Sequence, residues 1–164
     1  MKIKVFTDYA CPFCYIGYKL VEKVASELGT EIDYYFSEIH PEVPLNGCPT
    51  GDVVRGDLEA FNKHIASLAK DYDIKPQLGT RISNSKKAII LRGYILDKHP
   101  NKVKEFDEAM YKAYLIENLD IGDEKVLTDV LVSIGIDEII TVALNNTMAN
   151  IKFELDRTAA KEEK

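Results

Sequence analysis

Two cysteines separated by two residues, in Cys11-Pro12-Phe13-Cys14, are the residues of this chain whose type and spacing could do chemistry. A helical pattern opens at Pro12, where proline's missing N–H is harmless and its fixed φ suits a first helical turn. Cys11 then stands at the N-cap, and Cys14 lies three residues on, over the same face and within reach of the Cys11 sulfur. The free N–H groups of the first turn and the helix dipole favour a thiolate on Cys11. Such placement lowers a cysteine pKa from about 8.5 into the range of about 3.5–7.5. A thiolate beside a second thiol can attack a disulfide and then be resolved intramolecularly, which is disulfide exchange. Cys11 is the expected nucleophile. Cys14, one turn in and more buried, is the expected resolving thiol.

Other uses of the pair fit less well. A structural zinc site takes about four ligands, usually from two such pairs. The spare donors Cys48, His40, His64 and His99 have no paired ligand spacing, so no metal is expected. A plain pair of core cysteines leaves Pro12 and the strand-to-helix position unexplained. Cys48, in Gly47-Cys48-Pro49, reads as a free loop cysteine, with a regulatory or resolving thiol as the other reading. His40, beside Pro41, reads as a loop residue, or as a group approaching the dithiol from the end of the second strand. Phe13 is expected to influence redox poise, since the residues between the cysteines surround the thiolate. The tyrosine excess carries no role beyond core and surface.

The elements that must position the pair follow from periodicity. Residues 2–7 alternate like a strand, and the helix from Pro12 runs to about Leu28, with Tyr15, Leu20, Val24 and Leu28 as apolar positions and Gly29 as the stop. Ile32, Tyr34 and Phe36 alternate with Glu31, Asp33 and Tyr35 as a second strand. A span of about thirty residues from strand to strand is that of a βαβ unit, so the strands should be parallel. Residues 40–57, rich in Pro, Gly, Asn and Asp, read as a loop or domain crossing. Helices follow: Leu58, Phe61, Ile65 and Leu68 form one stripe, Val103, Phe106, Met110 and Ala113 another. Residues 84–97 are apolar nearly all round, so that helix should be buried, ending at His99-Pro100. Asp123 and Asp137 are expected N-caps, with Gly135 as the stop between them. A last stripe, Met148, Ile151, Leu155 and Ala159, fades into Lys161-Glu162-Glu163-Lys164, a solvated helix end. No third strand is expected, and two parallel strands are not stable alone.

Composition bounds the partners. With 164 residues, 46% of them hydrophobic, the chain can bury one real core. A net charge of −6 and the absence of a basic tract argue against nucleic acid or an anionic membrane as the main partner. The apolar runs are too short to span a bilayer. The N-terminus shows neither a long apolar region nor a small-residue cleavage site, so a cytoplasmic protein is expected. Three cysteines are a poor disulfide framework for a secreted domain, and in a reducing compartment a close pair is more often catalytic or metal-binding.

The stretch Asp8-Tyr9-Ala10-Cys11-Pro12-Phe13-Cys14-Tyr15-Ile16-Gly17 resembles the DsbA-like thioredoxin family, specifically its FrnE branch of cytoplasmic dithiol-disulfide oxidoreductases. Arg81-Ile82-Ser83-Asn84-Ser85, Tyr111-Lys112-Ala113-Tyr114 and Asp120-Ile121-Gly122-Asp123 extend the likeness across nearly the whole chain. The resemblance implies an α/β, thioredoxin-like fold with a large helical insertion after the second strand. Residues 1–40 would be the N-terminal βαβ part, 41–145 the helical lid, and 146–164 a helix returning toward the thioredoxin-like domain. Members continue into a cis-proline segment, two antiparallel strands and a helix, so this chain is expected to be C-terminally incomplete, ending at Lys164 where that part would begin. The implied function is a thiol-disulfide oxidoreductase of dithiol-disulfide isomerase type, with Cys11 and Cys14 catalytic and Asp8, Pro12 and Phe13 in the active-site loop. Asp8 either tunes the Cys11 environment or holds the turn. No bound cofactor is implied, glutathione is a possible redox partner, and the substrates would be disulfide-bearing proteins or small thiols. Alternatives are a truncated, non-catalytic remnant or interaction module, and a glutathione-dependent isomerase or transferase of the same fold, where serine replaces the first cysteine. In the family the first strand is central, so residues 3–7 are expected to present an open edge that a homodimer could bury.

Overall fold

The computed structural model of the chain describes residues 2–163; Met1 and Lys164, each at one end of the regions read above, lie outside the described residues. Strand β1 (Lys2–Thr7), helix α1 (Pro12–Leu28) and strand β2 (Glu31–Phe36) form the expected βαβ unit, with β1 and β2 parallel from Lys2↔Glu31 to Thr7↔Phe36. Cys11 is the N-cap of α1, Pro12 is its first residue, and Gly29 ends it at φ 61°, a left-handed conformation that favours glycine. The Thr30 N–H then closes on the Ala25 carbonyl at 3.0 Å.

A two-residue antiparallel ladder pairs β3 (Cys48–Pro49) with β4 (Arg81–Ile82), contrary to the expectation of no further strand. Two residues are too few to show a period, so pattern could not reveal them. Helices α2 (Leu58–Ala69), α3 (Lys86–Lys98), α4 (Val103–Leu115), α5 (Glu124–Ser133), α6 (Ile140–Leu144) and α7 (Thr147–Glu162) complete the chain. Asp123 caps α5 as expected, accepting from the Lys125 and Val126 N–H groups. Asp137 caps nothing: α6 starts three residues later, with Ile139 at its N-cap position.

One hydrophobic core runs from Tyr9 and Phe36 through α3, α4 and α5 to Phe153 of α7. Helix α3 buries every residue from Ala88 to Ile95, as its all-round apolar pattern implies. Its neighbour α7 lies close because Gly93 has no side chain: a Cβ there would sit 3.1 Å from the Ala149 carbonyl oxygen and 3.2 Å from its Cα. That contact selects the buried face of α7. Ala149, Phe153 and Asp156 face inward, whereas Met148, Ile151 and Leu155 of the expected stripe are exposed. In α1 the buried side chains are Pro12, Tyr15, Ile16, Tyr18 and Ala25, and Leu20 and Leu28 are exposed. Asp156 of α7 accepts from the Phe36 N–H at 3.2 Å and pairs with Lys152, so α7 covers the edge of β2 turned away from β1. The exposed turn Lys161–Glu163 ends the described chain.

Candidate active site

The junction of β1 and α1 sets the dithiol. Thr7 ends the strand, and the turn Asp8-Tyr9-Ala10 closes with the Cys11 N–H on the Asp8 carbonyl at 3.3 Å. The Asp8 carboxylate holds this turn from inside. It accepts from the Ala10 N–H at 3.1 Å, from the Ile39 N–H at 2.8 Å and from the Ser85 side chain, and so ties the loop to the end of β2 and the start of α3. Burial pushes its carboxyl above the ordinary value, against those hydrogen bonds.

The Cys14 N–H donates to the Cys11 sulfur at 3.2 Å, the side-chain cap of α1. Cys11 lines a cleft of about 320 Å³ together with Pro12, Phe13, Ile39, His40, Arg55 and Phe61, and Cys14 is not among the lining residues. The burial order differs from expectation: Cys11 is 8% exposed, and Cys14 is the less buried residue of the two. All three cysteines are free thiols. Cys48 sits in β3 opposite Ile82 and outside the cleft wall, so it is not brought to the dithiol.

The two active-site sulfurs are joined by a side-chain hydrogen bond. The hydrogen bond between their side chains pushes the Cys11 thiol up, with burial and the charge on Cys14 adding to it. The same bond draws Cys14 below the ordinary thiol value; burial opposes it, and the Asp8 N–H and Thr7 hydroxyl support it. The pair therefore loses a first proton readily and resists losing the second. Sequence placement favours the charge on Cys11, but three donors converge on Cys14 (the Cys11 thiol, the Asp8 N–H and the Thr7 hydroxyl), and the backbone supplies Cys11 with one.

Further residues complete the site. His40 reaches the cleft wall and bonds Glu42 through Nδ1 at 3.0 Å. Phe13 packs edge-on against Phe61 of α2, ring centroids 5.7 Å apart, so the residue between the cysteines touches the helical part of the chain. Behind the dithiol, the tyrosines gather. The Tyr111 ring of α4 lies 4.8 Å from Tyr15, 5.1 Å from Tyr9 and 5.5 Å from Tyr18, and its hydroxyl is 2.7 Å from the Thr7 hydroxyl. Tyr9 donates to Asp107, which also receives Arg92 Nε at 2.9 Å and Nη2 at 3.2 Å, all buried. The Arg92 guanidinium stacks 4.3 Å from the Phe36 ring centroid. Sequence reasoning missed Thr7, Arg92, Asp107 and the grouping of tyrosines. Arg92 did leave a signal, as the one charged residue within the buried run Ala88–Ile95.

Among the described residues no cluster of metal-ligating side chains occurs, and no helix is long and apolar enough to cross a membrane.

Comparison with known proteins agrees with this architecture. The uncharacterized protein YwbO of Bacillus subtilis strain 168 is 24% identical over 135 residues, and the match spans 82% of this chain but 66% of that relative's own length. The crystal structure of a probable DsbA oxidoreductase from Streptomyces coelicolor superimposes with a TM-score of 0.82 at 19% identity, covering 99% of this chain and 76% of that one. The cytosolic disulfide reductase DsbM from Pseudomonas aeruginosa, solved with GSH, gives a TM-score of 0.68 at 14% identity, covering 99% of this chain and 81% of that one. At these identities the two structures speak to the fold. The family model for the DSBA-like thioredoxin domain matches residues 2–163, and the chain belongs to that family.

Proposed function

We propose that this chain is a thiol-disulfide oxidoreductase of the dithiol-disulfide isomerase type, with Cys11 as nucleophile and Cys14 as resolving thiol. The observation that carries the reading is the pairing of access with a partner thiol: Cys11 caps the helix and opens onto a cleft, and the Cys14 N–H meets its sulfur at 3.2 Å. In the reduced pair with one proton removed, the remaining proton rests on Cys14 as the Cys11 sulfur attacks a substrate disulfide RS–SR′. The Cys11–SR bond forms, the S–S bond breaks, and R′S⁻ leaves. Cys14 passes its proton to R′S⁻ and attacks the Cys11 sulfur, releasing RS⁻ and closing the Cys11–Cys14 disulfide. The substrate gains two electrons and one proton, the enzyme loses the same, and charge is conserved.

The cleft, walled by Pro12, Phe13, Ile39, Val54 and Phe61 with His40 and Arg55 among them, suits an extended disulfide-bearing peptide or a small thiol such as glutathione. In this reading no bound cofactor is required, residues 41–145 act as the lid over the dithiol unit, and the protein works in a reducing cytoplasm on neither nucleic acid nor membrane. Titration of the purified protein against glutathione redox buffers, with the state of Cys11 and Cys14 read by thiol alkylation and mass, tests it. A reversible two-electron transition is expected. A pair that stays reduced or stays oxidised across all buffers overturns the reading.

A further inference from the structure

The cleft over Cys11 carries positive charge on its wall and no negative charge. Its lining is apolar apart from Cys11, His40 and Arg55, and no carboxylate side chain is among the lining residues. Asp8 is buried beneath the loop, where it accepts from the Ala10 and Ile39 N–H groups, and Glu42 is bonded to His40 at 3.0 Å. Asp52 and Asp57 flank Arg55 along the chain but stand outside the wall. Asp57 is engaged as the cap of α2, accepting from the Glu59 N–H at 3.0 Å. Arg55 itself has no hydrogen bond or ion pair among the described residues. The backbone that presents it is held. The Thr50 N–H donates to the Thr80 carbonyl at 2.9 Å, and the Thr50 hydroxyl donates to the Gly79 carbonyl at 2.6 Å. The Val53 and Val54 N–H groups then close on the Thr50 carbonyl at 3.1 and 2.8 Å. Gly56 follows at φ 99°, and α2 opens two residues later. Arg55 thus occupies the short link between a pinned turn and a helix cap, with its side chain on the cleft that Cys11 also lines.

We propose that Arg55 is a specificity-determining residue of the cleft: it selects small disulfides that carry a carboxylate close to the sulfur attacked by Cys11. The planar guanidinium presents two parallel N–H donors in the geometry of a carboxylate. Apolar walls concentrate its field across the cleft, so an anionic substrate is drawn toward Cys11 and a cationic one is turned away. A volume of about 320 Å³ suits a small molecule more than a folded chain. The inference deepens the redox reading above, from which it takes the reaction, and adds the charge of the substrate.

Alkylation tests the charge at Cys11 without requiring exchange. Iodoacetate and iodoacetamide react with the same thiolate and differ in charge, so the ratio of their rates, read by mass at Cys11, cancels any change in thiol ionisation. Arg55→Gln should lower the iodoacetate-to-iodoacetamide ratio about threefold, the size of one partly exposed ion pair. Arg55→Lys keeps the charge and should hold most of the ratio. Salt at about 1 M should erase the difference between wild type and Arg55→Gln. Among disulfides at low salt, the wild-type protein should react fastest with dithiodipropionate, then bis(hydroxyethyl) disulfide, then cystamine, and Arg55→Gln should compress that spread. Arg55 is exposed, so its replacement leaves the fold in place. A ratio unchanged by Arg55→Gln, or rates that fall by one common factor for both reagents, overturns the proposal. A protein that shows the expected alkylation ratios but is oxidised by no disulfide would overturn the proposed function and leave the anion selectivity at Cys11 standing.

Discussion

Cys11 and Cys14 divide access and charge between them. Cys11 sits in the cleft wall with its thiol pushed up, whereas Cys14, the less buried of the two, lies outside that wall and is held down by its bond to Cys11. Attack should therefore come from Cys11 and resolution from Cys14, and trapping separates the two roles. Cys14→Ser lacks the resolving thiol and should accumulate mixed disulfides through Cys11, whereas Cys11→Ser should accumulate none. Equal trapping by both variants, read on non-reducing gels, contradicts the division. In the wild-type reduced protein, Cys11 should be alkylated first. The rate should climb with pH through the first ionisation of the hydrogen-bonded pair, because the thiolate is the reacting form. Modification of Cys14 before Cys11 would show that the cleft is not the route of approach.

At the scale of elements, the βαβ unit and the helical part are joined by buried polar contacts as well as apolar packing. Tyr9 of the active-site loop, Asp107 of α4 and Arg92 of α3 form one buried group, and Lys19 and Glu22 of α1 pair with Glu108 and Lys104 of α4 at the surface. The surface pairs contribute little individually. The buried group behaves differently, because removing one partner strands a charge where water cannot reach. Asp107→Ala should destabilise the fold by about 3–5 kcal/mol, measured as a shift in the guanidinium chloride midpoint. Replacing both ions with apolar residues, Arg92→Met with Asp107→Leu, should recover most of that loss, since the pair offsets a desolvation cost that the apolar version never meets. A cost below about 1 kcal/mol for Asp107→Ala would mean that Arg92 finds other partners and that the group does not fasten the loop.

For the whole molecule, the sheet is the weak feature. Among the described residues β1 pairs only with β2, and α7 caps the far edge of β2 but no strand lies along the far edge of β1. Ile3 and Val5 are half-buried and Phe6 is 36% exposed, so an apolar strand edge faces solvent. Unpaired edges recruit strands, and two-fold symmetry is the simplest way for a single chain to bury one. The chain of 164 residues should associate as a homodimer along β1 at micromolar concentration. Light scattering reads the mass, and hydrogen exchange at residues 3–7 reads the edge. A monomer whose β1 amides are strongly protected would mean that this edge is covered from within.

The features legible along the chain are local. The N-cap cysteine, the proline at the first helical position, the glycine that stops α1 and the parallel strands on either side are each set within a few residues of chain, where sterics and capping act. The buried helix α3 was legible for the same reason, since its apolar run leaves no polar face to expose. Which flank of α7 is buried emerges only on packing, because Gly93 lets Ala149 approach while Met148 and Leu155 stay exposed, and a helical stripe does not say which neighbour will meet it. Only the tertiary structure brought Tyr111 to Thr7 and Asp107 to Tyr9, across separations of 104 and 98 residues. Contacts at that range obey no period along the chain, because they are set by how separate elements pack.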